Sequence, residues 1–594
     1  MLYFSSKRMT DLIHLKALTL TKTYFTATKM SSDEKDKLML TDAEEGKVVT
    51  RFPPEASGFL HIGHAKAALI NRMLADKYKG KMIFRFDDTN PDKENEDYEE
   101  AIKQDLISLG VSYDSGPTYS SDYMDLMCEK AVDLIKRGLA YCDKTPREEL
   151  QKCRFDGIAT PCRDNSVEEN LRLWNEMCLA TEEGLTTCLR AKISVTDPNK
   201  AMRDPVMFRV NLTPHVRQGS KYKVYPTYDF CCPIIDSIEN VTHALRTNEY
   251  HDRNAQYYWF CDAMNLRKPI VEDFSRLNME YTVMSKRKLT QLVNTGVVDG
   301  WDDPRFPTLR ALLRRGMKVE ALRRFVSDQG MSKTVNFMEW SKIWFYNTQI
   351  IDPISPRYTV VANDLKVRCT VEGQKHMEVG KKLLHKKNPD LGEKTFYKSD
   401  VIFLDAEDVA LIKDGEEITL MDWGNAFVNN IKKSSDNGLA TEATILLNPS
   451  GDVKKTKHKL TWVPENPNSV ILTLREYDHL LTKKKPDPEE KFEDLIAPVS
   501  IFSQNVLGEE SLSSIKKGDI IQLERRGYYI VDNSDTNPKI LINIPEGRDK
   551  VNHLSAKAQY LKTLPKKASA AEELAAKRAA KAAKKASQKE SAKK

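Results

Sequence analysis

Residues 48–109 set out strand, turn, helix, strand and helix in immediate succession, and this order constrains the fold more than any other feature. VVTRF (48–52) reads as a short buried strand, PPEASG (53–58) as a Pro/Gly turn and LHIGHAKAALINRMLADKY (60–78) as a helix. KMIFRF (81–86) is a second strand, and the stretch from Asn95 to Leu109 a second helix with its N-cap expected near Asn90 or Asp92. Such a pattern starts a parallel α/β sheet. A turn leaving a parallel strand delivers a helix N-terminus, whose free N–H groups and dipole suit an anionic phosphate. Gly58 and Gly63 remove side chains where a ligand must approach the backbone. His61 and His64 lie three apart on one face of the first helical turn, positioned to donate hydrogen bonds as charge builds on phosphate oxygens.

The following stretch, 142–222, is less regular and rich in Arg, Pro and Thr; apolar strand-like runs resume at VYPTYDF and CCPIIDSI, as if a domain were inserted between two halves of a sheet. Residues 308–350 read as helical, with Gly316 and Gly330 as stops. After Pro353 the texture is β. ATILLN-PSGD-VKKTKHKLTWV and GDIIQLE-RRG-YYIVD each carry a hairpin signal, and roughly 200 residues of short strands suggest barrels. Beyond Pro565 the chain is Ala/Lys-rich with almost no apolar face to bury.

Charge follows this organisation. The net +6 resolves into +8 on residues 562–594, with 11 Lys/Arg against three acids, and −2 on the other 561 residues. Bulk attraction to a polyanion therefore sits at the C-terminus. Ten irregularly spaced cysteines make neither a disulfide framework nor a zinc ribbon, and reduced thiols in the cytosol follow. A mean hydropathy of −0.53 and the lack of an apolar run near about 18 residues exclude a membrane span. The first 30 residues are basic and Ser/Thr-rich, which fits a transit peptide, a leader or an alternative start at Met30. Two basic runs, KKTKHK (454–459) and Arg310, Arg314, Arg315, Arg323 and Arg324, fit either phosphate binding or a solvated face.

The turn-helix segment resembles the HIGH signature of class I aminoacyl-tRNA synthetases, here His61-Ile62-Gly63-His64. About 220 residues later VMSKR (283–287) resembles their KMSKS loop, with Val283 in place of the first lysine. RFPPE, FRFDDTNP, YPTYDF, THALRTNEY, MSKRKL and DDPRFPT, in that order, are similar to the glutamyl/glutaminyl subgroup of eukaryotic and archaeal type, over approximately residues 47–555. Ala56 departs from the subgroup's usual Pro.

The resemblance implies a multidomain α/β plus β chain. Its expected parts are an N-terminal extension (1–46), a Rossmann-type catalytic domain in two halves (47–141 and 223–290) and an inserted acceptor-stem-binding domain (142–222). A helical subdomain (291–352), two anticodon-binding β-barrels (353–560) and a tail (561–594) complete it. It implies His61, His64 and Lys286 as catalytic, Gly63, Glu249, Met284, Ser285, Lys286 and Arg287 as the ATP site, and Arg51, Asp87, Tyr228 and Arg246 as the amino-acid site. Glutamyl members carry Arg at position 246 and glutaminyl members a small uncharged residue, so Arg246 implies glutamate: a fork-shaped cation binds a carboxylate and rejects an amide. The expected activity is ATP-dependent activation of L-glutamate, with substrate-associated Mg²⁺ and no protein metal site, and transfer to the 2′-OH of tRNA(Glu). The enzyme is expected in the cytoplasm as a monomer that needs tRNA for activation, with other synthetases or a scaffold factor as further partners to consider. A glutaminyl enzyme and an inactive RNA-binding homologue are the alternatives.

Overall fold

In the computed structural model, which describes residues 37–435, 437–487, 489–547 and 551–563, the opening pattern folds as a parallel crossover. The leader and the Lys/Ala-rich tail beyond Thr563 lie outside the described residues. Strand β1 (Val49–Phe52) leads through the Pro-Pro turn into α1 (Ile62–Lys77), and β2 (Lys81–Phe86) returns beside β1 in parallel, Val49 opposite Lys81 and Phe52 opposite Phe84. Helix α2 (Glu96–Ser108) then connects to β3 (Ser115–Tyr119), parallel to β2. Both β1 and β2 are buried almost throughout, as strands covered on two faces must be. The cap of α2 is Asn95, whose side chain accepts from the Asp97 amide. Asn90 and Asp92 are occupied otherwise: the Asn90 amide donates to Glu94 at 2.8 Å and Asp92 accepts from Thr213 at 2.5 Å.

Two compact units divide the chain: one runs to Leu313 and includes Lys318–Tyr346, the other takes Arg314–Met317 and the chain from Asn347. In the first unit, α3 (Met124–Lys136) precedes an antiparallel four-stranded sheet of β4 (Ala140–Asp143), β5 (Cys188–Ala191), β6 (Val206–Val210) and β7 (Val224–Pro226). The run CCPIIDSI is not a strand. It lies within helix α4 (Tyr228–Ile238), with Pro233 inside it. An apolar run of that length has no decisive period, and burial on all sides suits a core helix equally. Phe230, Ile234 and Ile235 of α4 pack with Phe208 of the sheet and Phe260 of α5 (Asn254–Ala263). Beyond α4, β8 (His243–Thr247) pairs in parallel with β9 (Ile270–Phe274). The Thr242 amide donates to Val49 O at 2.9 Å, which sets β8 beside β1. Arg51, Asp87 and Arg246 thus all sit at the carboxyl ends of neighbouring parallel strands, where open α/β sheets bind ligands.

The second unit contains two seven-stranded sheets. In one, the edge strands Arg357–Tyr358 and Val360–Ala362 lie at opposite ends of the strand order yet are separated only by Thr359. The two edges of that sheet therefore meet, and the sheet curls into a barrel. The other repeats the device with Lys459–Leu460 and Val463–Pro464. GDIIQLE-RRG-YYIVD is a hairpin as expected, with Leu523 opposite Gly527. The other hairpin expectation fails: Ala440–Asn448 pairs antiparallel with Gly424–Lys433 and parallel with Lys366–Glu372, while Lys459–Leu460 pairs with Glu416–Leu420.

Four of the five arginines of 310–324 are half-buried and the fifth, Arg324, is exposed; each has a partner within its own unit. In the first unit Arg310 binds Asp105 at 2.9 Å, Arg323 donates to Gly110 O and Arg324 covers the Tyr346 ring. In the second, Arg314 pairs with Asp532 and Arg315 donates to Tyr477 O. Lys454, Lys455, Lys457 and Lys459, by contrast, are exposed.

Candidate active site

Helix α1 begins with an unusual cap. His61 is its N-cap residue, and its Nδ1 accepts from the amides of Gly63 (3.0 Å) and His64 (3.4 Å); the Nδ1 of His64 in turn accepts from the His61 amide at 3.2 Å. The two rings stack with centroids 3.8 Å apart. A backbone amide only donates, so each Nδ1 is unprotonated and each ring carries its proton on Nε2. Burial, reinforced by Lys286 and Arg276, pushes His61 down to about 3 and His64 well below the ordinary imidazole value. Both are therefore neutral donors, not cations. The segment Pro307–Leu309 fixes the turn: the Ile62 amide donates to Pro307 O at 2.9 Å and the Leu309 amide to Leu60 O at 2.8 Å.

The second signature meets this turn. Lys286, first residue of helix α6 (Lys286–Asn294), lies along Gly58, where an added Cβ would touch its Cδ at 3.6 Å. Its Nζ donates to Ser57 Oγ at 2.6 Å, and Ser57 Oγ donates to Glu55 Oε2 at 2.7 Å. A Cβ on Gly63 would come within 3.3 Å of the Met284 methyl. Ser285 and Arg287 are exposed beside them. Glu249 accepts from Arg276 at 2.8 Å. The structure thus gathers His61, Gly63, His64, Met284 and Lys286 at one helix end.

A second cluster lies at the ends of β1, β2 and β8. Arg246 is 4% exposed, and its guanidinium carbon stands 4.9 Å from the Tyr250 ring centroid, 5.5 Å from Tyr228 and 5.6 Å from Tyr257. Its Nε and one terminal nitrogen are buried without a hydrogen-bond partner, and Asp229 Oδ1 comes no nearer than 3.8 Å. Arg51 is 1% exposed and held by Asp236, with Nε 3.2 Å from each carboxylate oxygen, and it donates to Leu245 O at 2.8 Å. Asp87 accepts from Thr89 Oγ1; burial foremost, with Asp88 and Glu55 adding, raises it to about 6 against the pull of Arg85.

The cleft beside this cluster measures about 920 Å³ and is lined by Arg154, Lys200, Arg209, Tyr228, Asp229 and Arg253 among others. Tyr250, Tyr257, Asp236 and Arg276 escaped the sequence reading. Assigning CCPIIDSI to a helix would have revealed Asp236, because Tyr228, Cys232 and Asp236 then share one face.

A family model described as tRNA synthetases class I (E and Q), catalytic domain, matches residues 47–353. The chain belongs to this family. As a class I tRNA synthetase it also matches the family's two anticodon-binding domain models, over residues 355–447 and 459–532. It is 49% identical over 520 residues to the cytoplasmic glutamate–tRNA ligase of Arabidopsis thaliana, covering 86% of this chain and 72% of that protein. To the cytoplasmic glutamate–tRNA ligase of Saccharomyces cerevisiae it is 50% identical over 523 residues, 87% of this chain and 73% of that one. No helix among the described residues of this synthetase is long and apolar enough to cross a membrane.

Proposed function

We infer that the cluster around Arg246 seats the side-chain carboxylate of glutamate in this chain, which is a glutamate–tRNA ligase. The observation that carries the choice is the buried guanidinium with two unmatched donors inside a cage of three tyrosines. A buried charged donor left unpaired is costly, so the free site is poised for an anion of matching fork geometry. Glutamine would present a neutral amide and leave the charge unmatched, which is how a charge-matched pocket rejects an isostere. Arg51 and Tyr228 line the same pocket, and Asp87 takes the α-ammonium group.

ATP lies against the start of α1 and the MSKRK turn, contacted by Gly63, Glu249, Met284, Ser285, Lys286 and Arg287, with Mg²⁺ arriving on its phosphates as part of the substrate. The glutamate α-carboxylate attacks the α-phosphate in line and expels pyrophosphate. His61 and His64 contribute neutral Nε2–H donors, and Lys286 supplies the movable positive charge. The adenylate is then attacked by the 2′-hydroxyl of the terminal adenosine of tRNA(Glu). No side chain is an obvious general base, so catalysis rests on positioning and electrostatics.

In the finer architecture we assign 47–141 and 223–290 to the two halves of a Rossmann-type domain and 142–222 to the inserted acceptor-binding domain. The helical subdomain is 291–352, and the barrels at 353–560 bind the anticodon. The basic lining of the cleft, Arg154, Lys200, Arg209 and Arg253, supports entry of the acceptor end there. The enzyme acts in the cytoplasm. Aminoacylation with labelled glutamate and glutamine, with pyrophosphate exchange run with and without tRNA, tests this reading. Glutamate charging with tRNA-dependent exchange is expected, and charging of glutamine alone would overturn it.

A further inference from the structure

Beneath the amino-acid pocket, Asp236 is fully buried and its carboxylate gathers donors from four elements. Arg51 of β1 approaches both oxygens at 3.2 Å, Arg85 of β2 donates at 2.6 Å, Tyr257 of α5 at 3.1 Å and the Cys232 thiol of α4 itself at 3.3 Å. Each donor continues toward the pocket or into the frame around it. Arg51 passes its other arm to Leu245 O, the carbonyl preceding Arg246. Tyr257 is one wall of the cage around the Arg246 guanidinium. Arg85 turns its second arm to Glu239 at 2.7 Å.

Charge matters as much as geometry here. Arg51, Arg85 and Arg246 are all buried at this end of the sheet. Asp236 faces Arg51 and Arg85, Glu239 takes the second arm of Arg85, and Asp229 is committed to Arg253 at 2.8 Å. Asp236 is ionised: although burial opposes its charge, Arg51 and Arg85 hold the carboxyl below the ordinary carboxylate range. Without that charge the pocket floor would hold a second unmatched guanidinium and would no longer present a single cation to the substrate.

We propose that Asp236 is a positioning residue for amino-acid recognition: it neutralises and orients Arg51 and anchors Tyr257, so that Arg246 is left as the one unmatched guanidinium of the pocket. This rests on the reading that glutamate docks against Arg246. Cys232 and Tyr228 lie one and two turns before Asp236 on the same helix face, so a single face of α4 carries both the pocket wall and its electrostatic support.

The test uses the full-length enzyme with tRNA present, reading KM for glutamate and KM for ATP in pyrophosphate exchange. Asp236→Asn keeps the side-chain shape and removes the charge. It is expected to raise the glutamate KM by at least about tenfold while the ATP KM stays within about twofold. Tyr257→Phe keeps the ring beside Arg246 and removes only its anchor, with an expected glutamate KM rise of about two- to fivefold and an unchanged ATP KM. A glutamate KM unmoved in a folded Asp236→Asn, or an equal rise in both constants, would overturn the proposal. Should Asp236→Asn not fold, Tyr257→Phe decides alone, an unchanged glutamate KM counting against the role. Arg246→Cys, run in parallel, separates the two ideas. If it too leaves the glutamate KM unchanged, the docking reading has failed; if it alone raises that constant, only the role of Asp236 has.

Discussion

His61 and His64 cap the same helix end reciprocally, each accepting through Nδ1 a backbone amide from the other's residue, at 3.4 and 3.2 Å. The cap uses Nδ1 of each ring and leaves each Nε2–H outside it. In the proposed reaction the two histidines therefore do two jobs, capping and donating, and the jobs can be separated.

Asparagine at position 61 should retain the cap and lose the outward donor. We expect His61→Asn to fold with little change in Tm while kcat for adenylate formation falls by about 10²–10³-fold. His61→Ala should show the same loss of rate and also cost about 1 kcal/mol of stability. Thermal unfolding and pyrophosphate exchange on both variants check this; wild-type rate in His61→Asn would refute the donor role.

Gly63→Ala isolates the close approach. In an exposed helix the change would favour folding by about 1 kcal/mol. Here the new Cβ would lie 2.9 Å from His61 Cε1 and 3.3 Å from the Met284 methyl, so both must shift. The expected result is a higher ATP KM and a lower kcat with no loss of Tm. A fully active variant would show that the turn tolerates displacement.

The turn into α1 was legible in the sequence because local rules act there: a strand, a Pro-Pro turn, two glycines and a helical period agree. The cluster around Arg246 was less so. Arg246 emerged only from a family resemblance, and Asp236 stayed hidden because CCPIIDSI has no period that separates a buried strand from a buried helix. The barrels were recognisable as β structure. Their pairings were not, since Ala440–Asn448 finds its parallel partner some 70 residues upstream at Lys366–Glu372. The arginines at 310–324 illustrate the same limit, for partners such as Asp105 and Asp532 are about 200 residues distant in the chain.

The raised pKa of Asp87 fixes a pH dependence. Burial pushes its carboxyl up to about 6, so the anion that in the proposed site pairs with an ammonium group prevails above that pH and is lost as pH falls through it. We expect kcat/KM for glutamate to decline below about pH 6. His61, pushed down to about 3, and His64, held well below the ordinary imidazole value, are neutral across the range and add no limb to kcat/KM for ATP. A pH profile of both constants measures this, and an ATP limb near the ordinary imidazole value would contradict the neutral-donor assignment.

The charge division makes a separate prediction. Residues 562–594 carry +8 and the rest −2. Truncation at Pro565 should raise the apparent KM for tRNA and flatten its salt dependence, leaving glutamate and ATP constants intact. Unchanged tRNA affinity at low salt would mean that the tail does not recruit RNA.

The central claim is that one buried guanidinium selects glutamate, and Arg246→Cys tests it most directly. With tRNA present, steady-state pyrophosphate exchange should show the glutamate KM raised by about 10²–10³-fold and the ATP KM within about twofold of the parent enzyme. Comparable losses in both constants, or a glutamate KM that does not move, would contradict it.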